Sequence, residues 1–201
     1  LNIKDKDNYS HLSAYEINSI ADKSEVRSLN KNLEKKMIKA ISDAKKNGDS
    51  VGGSFQIRVN KVPYGLGSYT SWDKKLNARL GKALLSINGI KSFDVGLGSL
   101  SEEKLGSKLH DEIGHQDLNK FDRKTNNCGG IEGGTSNGQE IIIAATMKPI
   151  PTLIKPLKSV DINTHEVVMA HKERTDSCAV PAASIIGESM TCMVICDALL
   201  E

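Results

Sequence analysis

The stretch KTNNCGGIEGGTSNGQEIII, residues 124–143, places five glycines between positions 129 and 138 and then enters an isoleucine run. From Ile141 the branched apolar side chains predict a buried strand over 141–146. The glycines before it call for backbone that turns tightly or comes close to something flat. The doublets GG-IE-GG lack the spacing of a dinucleotide fingerprint, and they precede a strand, where that fingerprint lies between a strand and a helix. No GxxxxGK[ST] loop occurs in the chain. Two readings stay open: tight turns packed against another strand, or a surface whose free N–H groups receive a flat ligand.

Upstream, Val26, Leu29, Leu33, Met37, Ala40, Ile41 and Ala44 recur at steps of three and four, predicting an amphipathic helix over 25–46 that Gly48 stops. Residues 50–62 change to a period of two, with Val51, Phe55, Ile57 and Val59 opposite Ser54, Gln56, Arg58 and Asn60, the pattern of a half-buried strand. Trp72, Leu76, Leu80, Ala83, Leu84 and Ile87 form a second helical stripe with Ser71 as its N-cap. A strand over 90–95 follows the turn at Asn88 and Gly89. Residues 98–125 are polar and irregular and read as a mobile loop excursion. A hairpin is expected around Asn163. Past Pro181 the rest of the chain is helical in pattern with little polar face, which predicts a central helix. Strands mixed with long helices and no internal repeat make the class α+β, in one domain or fragment spanning 1–201.

The 201 residues are 38% apolar and 26% charged, and no apolar run approaches the roughly 18 residues a membrane helix needs, so no membrane partner is expected. The 27 basic and 25 acidic residues leave a net charge of +2, which makes no case for nucleic acid as a partner. Cys128, Cys178, Cys192 and Cys196 form neither a secreted disulfide framework nor a CxxC pair, and read as reduced thiols of a cytoplasmic protein. Cys192 and Cys196, four apart, read as small core residues on one helical face. In HDEIGH, residues 110–115, the histidines stand about 140° apart on a helix, so a solvated loop is the reading and no metal is expected. The chain opens on Leu1 without an initiator Met or signal-peptide pattern, as a fragment or processed product would.

Two further stretches carry charge. In MKPIPTL, Lys148 offers a cation and the rigid prolines hold Thr152 ready to donate to an anion. In ERTDSCAVPAA, Arg174 and Asp176 lie two apart just before a helix whose N-terminus favours negative charge. Taken together, SINGIKS, NNCGGIEGGTSNGQEI, KPIPTL and RTDSCAVPAA resemble, in order and spacing, the C-terminal half of chorismate synthases. DSVGG (49–53) and PYGLGS (63–68) are similar to further segments of that family, and the likeness covers about residues 25–200.

The resemblance implies a β-α-β sandwich with helices packed between antiparallel sheets, and a homotetramer. It also implies the 1,4-elimination of phosphate from 5-enolpyruvylshikimate 3-phosphate to give chorismate, with reduced FMN as cofactor and no net redox change. NADP enters only through the open question of whether such an enzyme reduces its own flavin. Matched by motif, Asn88, Gly89 and Gly133 would contact the flavin. Lys148, Pro149, Ile150, Pro151 and Thr152 would wrap the ring and its phosphate, Arg174 would add a cation, and Asp176 would handle a proton near the flavin's reactive edge. Thr175 and Ser177 depart from the usual Arg-His-Asp-Pro or Arg-Ser-Asp-Pro. The family's N-terminal half, with its GESHG segment and catalytic acids, has no counterpart here, so the chain alone is expected to bind flavin weakly and turn over negligibly. The non-enzyme alternative is a flavin-binding or subunit-assembly module.

Overall fold

The computed structural model describes residues 3–5, 7, 9–117, 120–173 and 176–201. In chain order the elements are α1 (Ala14–Ala21), α2 (Lys31–Lys46), β1 (Gly53–Val59), α3 (Leu76–Leu85), β2 (Ile90–Val95), a 3-10 segment (Gly98–Glu103), α4 (Gly106–Leu109), β3 (Ile113–Asp117), β4 (Lys120–Arg123), β5 (Ile131–Glu132), β6 (Thr135–Ser136), β7 (Ile141–Met147), β8 (Lys158–Val160), β9 (Val167–Met169) and α5 (Val180–Leu200). Helices and antiparallel two-stranded sheets mix as α+β, as the two periods predict. The chain divides into two compact units, Leu1–Gly53 with Met147–Ala182, and Ser54–Thr146 with Ala183–Glu201.

The second unit is built on a three-stranded sheet in the order β1-β7-β2. Along β7, Ile141, Ile143 and Ala145 are buried and their neighbours half-buried, the alternation of a strand with one face in the core. Leu76, Leu80 and Leu84, one stripe of α3, are fully buried. Gly81 lets α3 lie close to β2, since a Cβ there would stand 3.2 Å from the Phe93 ring. Arg58 on β1 is ion-paired to Glu140 at the start of β7, its Nε donating at 2.8 Å, which satisfies two charges that are mostly covered.

Helix α5 turns a stripe of mostly small residues inward: Ala183, Gly187, Thr191 and Ala198 are buried, with Ile195 as the one large member. A Cβ on Gly187 would lie 2.8 Å from the Phe55 ring, so only glycine admits this approach to β1. Two expectations are corrected here. Cys192 and Cys196 do share a helical face, but that face is exposed, because the smallest side chains and not the cysteines mark the packed stripe. An apolar run of membrane length does exist: α5 has 21 residues and a mean hydropathy of 1.6 over 18 of them. One stripe of it packs on β1, but only 28% of that window is buried and Ile185, Ile186 and Met193 are exposed, so the helix expected to be central is covered on one side only.

In the first unit α2 starts at Asn30, whose side chain accepts the N–H groups of Asn32 and Leu33; the helix predicted from 25 therefore begins later. It ends where Gly48 was expected to end it. Gly48, at φ +67°, donates its N–H to Lys45 O, and Asp49 donates to Ala44 O, a Schellman cap. The hairpin expected around Asn163 is β8 paired antiparallel to β9. Trp72, counted in the α3 stripe, instead lies 82% exposed ahead of that helix, whose N-cap is Lys75 and not Ser71.

Residues 98–125 hold more regular structure than their polar sequence suggests: the 3-10 segment, α4 and the β3-β4 hairpin. HDEIGH is not a solvated loop throughout. Asp111 is buried, and its carboxylate accepts the N–H groups of Asn127 at 2.7 Å and Cys128 at 2.9 Å together with the Thr125 hydroxyl.

Candidate functional site

The glycine-rich stretch folds as turns around the β5-β6 ladder. Its first doublet is there for packing. Gly129 has φ +65°, and a Cβ on it would stand 2.2 Å from Gly96 N, while one on Gly130 would stand 2.4 Å from Glu140 O. Gly129 O in turn accepts the N–H of Ile142, fastening the turn to β7. Gly133 differs: its φ of +62° also favours glycine, yet nothing lies within 4 Å of where a Cβ would be. Of the two readings of the doublets, turn packing therefore describes the first, and an open surface the position of Gly133.

Gly133 lines a concave pocket of about 360 Å³ together with Lys75, Asn77, Val95, Cys128, Ile131 and Gly134. That volume falls in the range of small-ligand clefts. Lys75 and Asn77, at the start of α3, give it a cation and an amide; neither was singled out by motif, because only the fold brings them beside the glycines. Burial pushes the Cys128 thiol up to about 11, and the Asp111 carboxylate that faces it adds to the effect. At neutral pH Cys128 is thus a protonated wall of the pocket and not a nucleophile. Burial also opposes ionisation of Asp111, but its three donors outweigh this and hold its carboxyl below the usual range. Asn88 and Gly89 form the turn between α3 and β2, with Gly89 at φ +87° and the N–H of Ile90 donating to Ile87 O; they are not among the residues lining this pocket.

The remaining assigned residues belong to the first unit. Lys148 and Pro149 are exposed, Ile150 and Thr152 half-buried. The Ser50 hydroxyl donates to Ile150 O at 2.6 Å, and the N–H of Val51 donates to Ser177 O at 2.8 Å, so the stretch 148–152 and the one holding Asp176 are tied to a single turn. Asp176 is exposed. Arg174 and Thr175 lie outside the described residues. Among the described residues no group of three His, Cys, Asp or Glu side chains is placed to hold a metal ion.

A family model described as chorismate synthase matches residues 3–200. The chain belongs to the chorismate synthase family. A chorismate synthase of Alkaliphilus metalliredigens is 54% identical over 181 residues, which are 90% of this chain and 48% of that protein. Chorismate synthase 2 of Bacillus cereus is 47% identical over 192 residues, 96% of this chain and 49% of that one. A solved structure described as a crystal structure of chorismate synthase superposes with a TM-score of 0.78 at 35% identity, covering 98% of this chain and 52% of the other. The family's fold is therefore shared, and the chain spans about half the length of the relatives it matches. Each unit taken by itself, Gly133 in the second leaves open the space a Cβ would take, as a flat group requires, and Lys148 and Thr152 in the first are donors of the kind an anion takes.

Proposed function

We propose that this chain is the flavin-holding half of a chorismate synthase, a carbon–oxygen lyase of the shikimate route to aromatic amino acids. The observation that carries the reading is the family match over 3–200, within which all ten assigned positions fall. The substrate is 5-enolpyruvylshikimate 3-phosphate. Lys148 and Thr152 hold the phosphate of FMN, with Pro149, Ile150 and Pro151 fixing the backbone that presents them. Arg174 adds a second cation. Asn88, Gly89 and Gly133 contact the cofactor through backbone unobstructed by bulky side chains. Reduced FMN, when bound, supplies the electron density that eases loss of the allylic phosphate. The Asp176 carboxylate exchanges a proton with a nearby nitrogen, and the flanking cations stabilise departing negative charge.

In this reading the chain works in the cytoplasm as part of a homotetramer. These 201 residues alone, which span about half the length of the relatives they match, turn over negligibly. Melting the chain with and without reduced FMN tests the flavin half of the proposal: a saturable rise in melting temperature is expected, and none at millimolar flavin overturns it. Assay with 5-enolpyruvylshikimate 3-phosphate tests the other half, since chorismate formed by these 201 residues at a full-length relative's rate contradicts negligible turnover.

A second reading, a subunit-assembly module, is favoured by the β8-β9 hairpin. Its paired Val160 and Val167 are 55% and 70% exposed and Met169 58% exposed, an apolar surface of the kind that meets partners. Indifference of the fold to flavin, combined with self-association, selects it.

A further inference from the structure

The segment Lys148-Pro149-Ile150-Pro151 cannot hold itself in place by backbone pairing. Two of its four residues lack an N–H, so its position has to be imposed from outside. The turn over 49–53 does this at several points. The Schellman cap of α2 delivers the chain into that turn. Ser50, itself buried, donates its hydroxyl to Ile150 O, in the middle of the segment. Gly52 closes on the segment's start, where a Cβ would stand 2.4 Å from Met147 O and 2.9 Å from both Lys148 C and Pro149 N. Downstream, Gly48 O accepts the N–H of Lys155 at 3.0 Å. Between Ser50 and Gly52, Val51 points its N–H the other way, to Ser177 O beside Asp176.

We infer that Ser50 and Gly52 are positioning residues: they set the register of Lys148 and Thr152 toward the anionic tail of the ligand, and through Val51 couple it to the Asp176 segment. The inference rests on the reading of residues 148–152 as the phosphate-holding stretch. Neither residue is among those assigned to contact the ligand. Loosening the latch should therefore cost affinity for the phosphate and leave recognition of the ring alone.

The test compares dissociation constants of the chain for FMN and for riboflavin, which lacks the phosphate. Ser50→Ala is expected to weaken FMN binding about tenfold, near the upper worth of one hydrogen bond, with riboflavin changed less than about twofold. Ser50→Thr, which keeps the hydroxyl, should restore the preference. Ser50→Cys, close in size but only a weak donor, should fall between and serves if the alanine variant does not fold. Equal losses for both flavins, or no loss in either variant, overturn the latch. A wild-type chain that shows no preference for FMN over riboflavin overturns instead the underlying assignment of 148–152.

Discussion

Asp111 accepts the backbone N–H of Asn127 at 2.7 Å, and the same carboxylate takes Cys128 N and the Thr125 hydroxyl, so one buried charge organises the entry to the glycine turns. Asn127 returns the contact by donating its amide to Leu109 O. In Asp111→Asn one carboxylate oxygen becomes an NH₂ group that must face another donor. The expected cost is about 2–3 kcal/mol, the worth of charged hydrogen bonds at a buried site. Urea unfolding measures it. Because the folded carboxyl titrates below its unfolded value, the stabilisation is complete above the ordinary carboxylate range of about 3.9 and is lost as pH falls through the lower, folded value. The difference between wild type and variant should be full at pH 7 and shrink in strong acid.

Gly129 and Gly133 differ in what an added methyl group meets, whereas Gly134 is packed like the first doublet, 2.6 Å from Ser68 O. Gly129→Ala drives a Cβ into the backbone of Gly96 and should unfold or severely destabilise the chain. Gly133→Ala meets open space and carries only the left-handed backbone penalty of about 1–2 kcal/mol. Thermal melting ranks the two. If Gly133 lies against the cofactor, its alanine variant stays folded and loses flavin affinity by more than its change in stability explains.

Helix α5 gives a parallel contrast. Gly187→Val should destabilise by several kcal/mol, because even a Cβ overlaps the Phe55 ring. Ile186→Ser, at an exposed position, should stay within about 0.5 kcal/mol. Thiol labelling of the folded chain reads the exposed face: Cys192 and Cys196 should react with a maleimide at about pH 7 ahead of Cys128, Cys192 being slowed somewhat because burial, with Glu188, raises its thiol. Cys128, half-buried and with its thiol raised to about 11, should react only slowly. Equal labelling of all three contradicts the orientation of the helix.

Much of this was legible in residue periodicity. The strand Ile90–Val95 lies where its pattern put it, β7 runs one residue past its predicted end, and α5 begins one residue before Pro181. Errors arose where apolar count and packing diverge. Trp72 fits the α3 stripe by spacing, but the helix starts after it at Leu76. In α5 large side chains dominate the pattern while four of the five buried positions carry small ones, so the cysteines read as inward. The capping box of Ser13 and Glu16 is a local sign of α1 that apolar periodicity does not carry. Other features have no local sign at all: Ser50 and Ile150 stand 100 residues apart, and the buried role of Asp111 depends on Asn127 and Cys128, 16 and 17 residues away.

The central proposal is that this chain binds a phosphorylated flavin through the stretches assigned above. Hydrogen–deuterium exchange of the chain with and without reduced FMN addresses it directly. The account predicts joint protection around residues 88–90, 131–134 and 148–155, saturating at a common flavin concentration, with the β8-β9 hairpin unchanged. Protection confined to one of these stretches, or absent from all of them at saturating flavin, contradicts it.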